Sequence, residues 1–542
     1  MKTVVAAALG ECVHVAGITK FLRLAQKAGW RTIFLGPAVS IDRVIQVAKD
    51  EKADLVGVSY RLTPENGERL LGEFAEAADE LRQRGTRFAF GGTPPLVERA
   101  RALGFFEATF NGTETSDQVL SYLKGGYEKR ENDVVFPQDV IKRIKWKSPY
   151  PIIRHHFGLP SVDETASGIE KISEAKVLDV ISLGTDQDAQ ENFFHPERQN
   201  PRRRGAGGVP VRSADDFRIL YQATRRGNFP LMRTYTGTDD FIKLAEIYVE
   251  TINIAWAAIP LFWFNRMDGR GPWELEDSIR IHQELIQWYS RRGIPVELNE
   301  PHHWGMRDAP DSIFAATAYL SAYNAKALGV KDYIAQLMFN SPPGLTDVMD
   351  LAKMIAVLKM IEPLQSHDFN VWKQTRTGLL SYPVDLDFAR AHLASSIYLQ
   401  MALKPHIIHV VGFTEADHIS TADEVIESVK LAHRSIENGL GQPDMSKDPL
   451  IQERVEEIIR DVTCTLNAIR SIGSVNNVDP LTDASTLAKA IEMGILDAPH
   501  LKNNPYARGE IETRIDHRGA CRGINPKTGE FEEESKRLRQ LL

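Results

Sequence analysis

A chain of 542 residues, 43% of them hydrophobic, is long enough for two or more domains and a large buried core. Its charge is mixed and mildly acidic, net −8 with a pI near 6.1, and no Lys/Arg block offers nucleic acid or a membrane surface a basic face. The three cysteines, Cys12, Cys464 and Cys521, lie far apart with no CxxC, which excludes a disulfide framework and a cysteine-rich zinc site and suits a cytoplasmic compartment.

Glu11 interrupts the opening apolar run, so no signal peptide is expected, and the most apolar later stretch, IAWAAIPLFWF, is too short to span a bilayer. Residues 1–124 then alternate between strand and helix patterns. TVVAAAL, RTIFLG, ADLVGVSY, RFAFGG and ATFNG read as strands, separated by amphipathic segments such as PENGERLLGEFAEAADELRQRG. Five apolar runs spaced by helices predict a flavodoxin-like, doubly wound parallel sheet. Ligands of such sheets bind beyond the carboxyl ends of the strands, and His14, Ser59, Gly91, Gly92, Gly112 and Thr113 all fall there.

Residues 125–149, polar and charged, read as a linker. From 150 to 480 the alternation restarts with YPIIRHH, VLDVISLGTD, FPLMRTYTG, INIAWAAIPLFWF, IPVELNEPHHW, DYIAQLMFN, FNVWKQTRTG and HIIHVVGF. Eight βα units predict a (β/α)8 TIM-type barrel, with its active site at the carboxyl ends of the strands. Residues 481–542 form a C-terminal extension expected to pack on the barrel. The predicted mouth is charged: Arg154 follows the first strand, Arg233 the third, Arg266 and Asp268 the fourth, Glu297 and Glu300 the fifth and Glu415 the eighth. Converging arginines predict an acidic substrate, because guanidinium pairs carboxylate bidentately. Neighbouring histidines at strand ends point apart, so His155–His156 and His302–His303 predict no metal site.

The run H-x-x-G from His14 to Gly17, then Ser59, Gly91–Gly92 and FNGT, in that order, resembles the cobalamin-binding domain of the base-off, His-on type. The resemblance implies that His14 is the lower axial ligand of cobalt. It implies further that Gly17, Ser59, Gly91, Gly92, Gly112 and Thr113 line the path of the cofactor's nucleotide tail. Two departures stand out. The aspartate two residues before the histidine is Cys12, with Glu11 as the nearest carboxylate. The serine motif S-x-L reads Ser59-Tyr60-Arg61, its leucine one place late.

The barrel, with its tail GILDAPHLKNNPYARG and RIDHRGACRG, resembles the catalytic epsilon subunit of glutamate (methylaspartate) mutase over most of 150–525. The resemblance implies a cobalamin-dependent isomerase. Adenosylcobalamin would supply a radical for a carbon-skeleton rearrangement, and the first domain would dock on the barrel mouth. Of the family's three carboxylate-clamping arginines, Arg154 and Arg233 match, while the second falls around Ala189 and is lost. The family's amine-binding glutamate falls near Ala258, its neighbouring tyrosine near Asp268 and its ribose-touching lysine near Val411. Phe264 and Glu415 are kept in kind. The expected catalytic residues are therefore Arg154, Arg233, Asp268 and Glu300, with Glu415 on the cofactor. The expected substrate is a small organic acid other than glutamate, and a homodimer is expected. Two rival functions fit the same domains, a corrinoid-dependent methyltransferase and a non-catalytic corrinoid-binding protein.

Overall fold

The computed structural model describes residues 2–112, 114, 116–123, 135–473 and 478–542, in two compact units, Met1–Val135 and Phe136–Leu542. In the first unit, β1 (Thr3–Ala8), β2 (Arg31–Phe34), β3 (Leu55–Tyr60), β4 (Arg87–Gly92) and β5 (Ala108–Phe110) pair in parallel in the order β2-β1-β3-β4-β5. Strand order reverses between β1 and β3, and the crevice of a doubly wound sheet opens at that switch point. The run TVVAAA is buried along its whole length because helices cover both faces. Val5 and Ala7 face one apolar cluster, while Val4 and Ala6 face the other.

In the second unit, eight parallel strands form the barrel: β6 (Ile152–Phe157), β7 (Val180–Leu183), β8 (Leu231–Thr234), β9 (Ala257–Ile259), β10 (Val296–Leu298), β11 (Asp332–Phe339), β12 (Asn370–Thr377) and β13 (Ile407–Val410). The ladder runs β8-β7-β6-β13-β12-β11-β10-β9. It is nearly closed. At the β8–β9 seam, Ala255 N donates to Met232 O at 2.8 Å. Seven of the eight strands lie within the runs that periodicity predicts and β6 ends one residue beyond its run, but β9 is much shorter than its run. Pro260 ends it by removing a ladder donor, and Leu261–Phe264 leave as a loop with Phe264 at φ 62°.

Part of the expected linker belongs to the barrel. Asp139 caps a helix over Val140–Lys147 by accepting from Lys142 N at 2.8 Å. Val140 and Ile144 pack on Ile152, Val180, Leu231, Trp256, Ile334 and Ile407, the inward residues at the foot of the barrel. Arg143, fully buried, donates to the carbonyls of Pro137, Asn228 and Phe229. The amphipathic pattern VIKRIKWK thus marks a plug for the barrel floor.

The tail packs on the same unit. β14 (Glu512–Ile515) and β15 (Cys521–Ile524) form a hairpin. Asn504 donates to the Met267 carbonyl at 2.7 Å, and Thr513 Oγ1 to that of Asp308 at 2.9 Å. Among the described residues, no helix is long and apolar enough to cross a membrane.

Candidate functional site

In the first unit a cleft of about 850 Å³ opens at the carboxyl ends of the strands. His14, Gly17, Ser59, Gly91, Gly92 and Gly112 all line it, and Thr113 lies outside the described residues. The imidazole of His14 is exposed. A Cβ added at Gly17 or Gly112 would meet nothing within 4 Å, and one at Gly91 nothing nearer than 3.9 Å, so the cleft lies over bare backbone. Gly112 has φ +96°, a left-handed conformation that favours glycine, and its N–H donates to the Glu114 carboxylate at 2.9 Å. Ser59 Oγ is buried and, among the described residues, has no hydrogen-bond partner. A buried hydroxyl beside a cleft is satisfied by what enters the cleft. Gly57 and Arg61 also line it. Gly57 escapes sequence reasoning because a glycine inside a strand reads first as a packing residue; a Cβ there would press on the Phe21 ring at 3.1 Å.

The departure beside His14 has a structural counterpart. Glu11 accepts from Tyr60 O–H at 2.9 Å, and that bond holds its carboxyl below the usual range. Cys12, fully buried, places Sγ 3.9 Å from His14 Nδ1.

In the second unit a polar belt lies inside the barrel above its apolar floor. Arg154 donates to Ser182 Oγ at 2.8 Å, contacts His409 Nδ1 at 2.8 Å and stands 3.9 Å from Glu297. Arg233 reaches the same Ser182 Oγ at 3.4 Å. Both guanidiniums lie over the Trp256 ring, whose N–H donates to Glu297 at 2.6 Å. Gln336 donates to the other Glu297 oxygen at 3.2 Å. Several buried atoms of the belt have no hydrogen-bond partner among the described residues: Arg154 Nε, Arg233 Nε and Nη2, both polar atoms of Gln374, and His409 Nε2. Arg154 can only donate, so His409 Nδ1 accepts and Nε2 carries the hydrogen. Ala258 pairs in register with Glu297 and adds only a methyl group to this layer.

Above the belt, a cavity of about 1300 Å³ is lined by residues that include His156, Tyr235, His302, Arg376 and Glu415. Tyr235 stacks on His156, its O–H 3.1 Å from His156 Nε2. Burial lowers the pKa of His156 to about 3, and the nearby Arg376 adds to the effect. Burial also raises the pKa of Glu415, against the pull of His155, whose Nε2 lies 3.9 Å away.

Arg154 and Arg233 are therefore brought together, and Glu415 lines the mouth. Asp268 and Glu300 are placed differently. Asp268 accepts from the N–H groups of Phe264 and Asn265 and pairs with Arg270, so its bonds hold the loop after β9. Glu300 accepts from Phe262 N at 3.0 Å, and burial raises its pKa to about 8. Neither lines the mouth cavity. Arg266 pairs with Glu274 on the surface. Sequence reasoning misses Ser182, Gln336, Gln374, Arg376 and His409. Their signal was a polar residue recurring at the inward positions of otherwise apolar strands.

The chain was compared with known proteins. A family model described as B12 binding domain matches residues 2–120, and one described as methylaspartate mutase E chain (MutE) matches residues 228–541. Among solved structures, a novel cobalamin-binding protein from Desulfitobacterium hafniense DCB-2 is 22% identical, with a TM-score of 0.20. That match covers 22% of this chain and 55% of the other, so it spans about half of that protein's length. The cobalamin-dependent S-adenosylmethionine radical enzyme OxsB is 11% identical with a TM-score of 0.19, over 91% of this chain and 71% of its own.

Proposed function

The chain belongs to the methylaspartate mutase E chain family and carries a B12 binding domain at its N-terminus, and from these two memberships we propose that it is an adenosylcobalamin-dependent isomerase. It rearranges the carbon skeleton of a small carboxylic acid other than glutamate. One observation carries the cofactor reading: the unpartnered, buried Ser59 Oγ beside a cleft floored by bare glycines and edged by an exposed histidine.

In this reading His14 offers its free imidazole nitrogen to cobalt, a metal that neutral imidazole suits. Ser59 gives the nucleotide tail a hydrogen bond, and Gly17, Gly91 and Gly112 give it room. When bound, adenosylcobalamin supplies a homolysable cobalt–carbon bond and hence a carbon radical able to take hydrogen from the substrate. The protein's own part is binding and exclusion. Arg154 and Arg233 give the barrel interior a positive charge that favours an acid. The apolar floor and stacked aromatic walls keep water and stray hydrogen donors from reactive carbon. Ala258 puts a methyl group where the family binds an amine, which argues against an amino-acid substrate.

The test is anaerobic. Purified protein should retain adenosylcobalamin through desalting, and the right acid should raise cob(II)alamin, seen by its visible and EPR signals. Failure to retain the cofactor would end the cobalamin reading. Conversion of glutamate at a rate matching any other acid would end the substrate reading.

A further inference from the structure

Among the described residues, five arginines of the second unit are at least nine-tenths buried, and four have evident partners. Arg143 donates to three carbonyls; Arg154 meets Ser182 and His409. Arg233 has Ser182 and the Tyr235 and Trp256 rings, and Arg454 has Asp311 and Glu457 at 2.9 Å each. The fifth is Arg376, 7% exposed, at the end of β12. Its one hydrogen bond within the described residues is a long one, from Nε to the Thr377 carbonyl at 3.4 Å. No described carboxylate lies within 4.0 Å of it, although Glu415 lines the same cavity. Instead of closing on Arg376, Glu415 stands 3.9 Å from His155 and leaves Oε1 without a hydrogen-bond partner.

A buried guanidinium without a counter-charge is costly, and the cost is recovered only when an anion meets it. A planar carboxylate matches the guanidinium fork with two parallel hydrogen bonds. We propose that Arg376 is the anchor for a substrate carboxylate in the mouth cavity, with Glu415 opposite to accept a hydrogen bond from a hydroxyl on the same molecule. This rests on the mutase reading and names its substrate class: a small hydroxy acid. It also accounts for the loss at Ala189. A guanidinium is supplied from β12, two strands around the barrel from β6, in place of one after β7.

The probe is 3-hydroxybutyrate, titrated calorimetrically into wild-type protein, R376M and R376K. The wild type should bind it. R376M should bind about tenfold more weakly or worse, as expected for a lost charged hydrogen bond, and R376K should recover part of the affinity. A second measurement needs no variant. In the wild type, 3-hydroxybutyrate should shield Arg376 from phenylglyoxal, read by peptide mass. No wild-type binding, unchanged affinity in R376M, or labelling indifferent to the probe would each overturn the proposal. Adenosylcobalamin retention is scored separately in the same samples. Loss of retention by the wild type defeats the cofactor reading, whereas failure of the carboxylate site with retention intact defeats Arg376 alone.

Discussion

Cys12 Sγ lies 3.9 Å from Nδ1 of His14, where a metal-binding histidine ordinarily passes its second N–H to a carboxylate. A thiol is a weak partner, and Glu11 is committed to Tyr60. The imidazole of His14 is therefore less firmly oriented than a carboxylate-backed one. C12D should tighten histidine ligation of cobalt about tenfold, and H14A should abolish it. The readout is nitrogen superhyperfine splitting in the cob(II)alamin EPR signal with and without nitrogen-15 histidine. Equal splitting in wild type and C12D would show that the thiol is no handicap.

Adjacent glycines of β4 should respond in opposite ways. A Cβ at Gly92 would come within 2.7 Å of the Phe90 ring and 3.1 Å of the Tyr60 carbonyl, whereas one at Gly91 faces the cleft. G92A should cost about 1–3 kcal/mol by overpacking. G91A should leave stability within about 0.5 kcal/mol of wild type. G91L should fill the cleft and weaken corrinoid retention by about tenfold or more while the protein still folds. Thermal melting and a desalting assay separate the two effects.

Glu297 holds the barrel's polar belt together through Trp256, Gln336 and the charge of Arg154. Removing it leaves Arg154 as an uncompensated buried charge. E297A should therefore destabilise the barrel by about 3–5 kcal/mol. The double variant E297A/R154M should recover part of that loss. Urea unfolding of the four proteins gives the coupling, and strict additivity would show that the 3.9 Å pair carries no energy.

Burial raises the Glu300 pKa from an ordinary 4.5 to about 8. Between these values the folded state keeps a proton that the unfolded state has lost, so stability falls as pH rises. The slope across that window is about 1.4 kcal/mol per pH unit from this group alone. E300Q keeps an oxygen for the Phe262 N–H and removes the titration. Its stability relative to wild type should therefore climb from pH 5 to pH 8. Parallel curves for the two proteins would mean that Glu300 is charged when folded.

Strand positions were legible because strands covered on both faces read as continuous apolar runs. That held for β1, β3 and β7, and for the three-residue β9, whose neighbours are as apolar as the strand itself, whereas β2 (RTIF) is partly exposed and β12 (NVWKQTRT) is largely polar. The cleft residues were legible because glycines and a histidine at strand ends have few other reasons to recur in that order. The barrel's chemistry was harder to read. Gln374, Arg376 and His409 lie within or at the end of strands rather than in loops, so they looked like strand residues with a polar side. Asp268 and Glu300 looked free because a sequence does not show which backbone N–H groups a carboxylate will satisfy. The VIKRIKWK helix reads as linker because its charge masks Val140 and Ile144.

The plug over Val140–Lys147 turns the barrel into a blind well. Substrate and product must then share one doorway. A second molecule cannot enter until the first has left, and no back exit lets product drain through the floor. Product should accordingly inhibit in strict competition with substrate, with no component that survives saturating substrate.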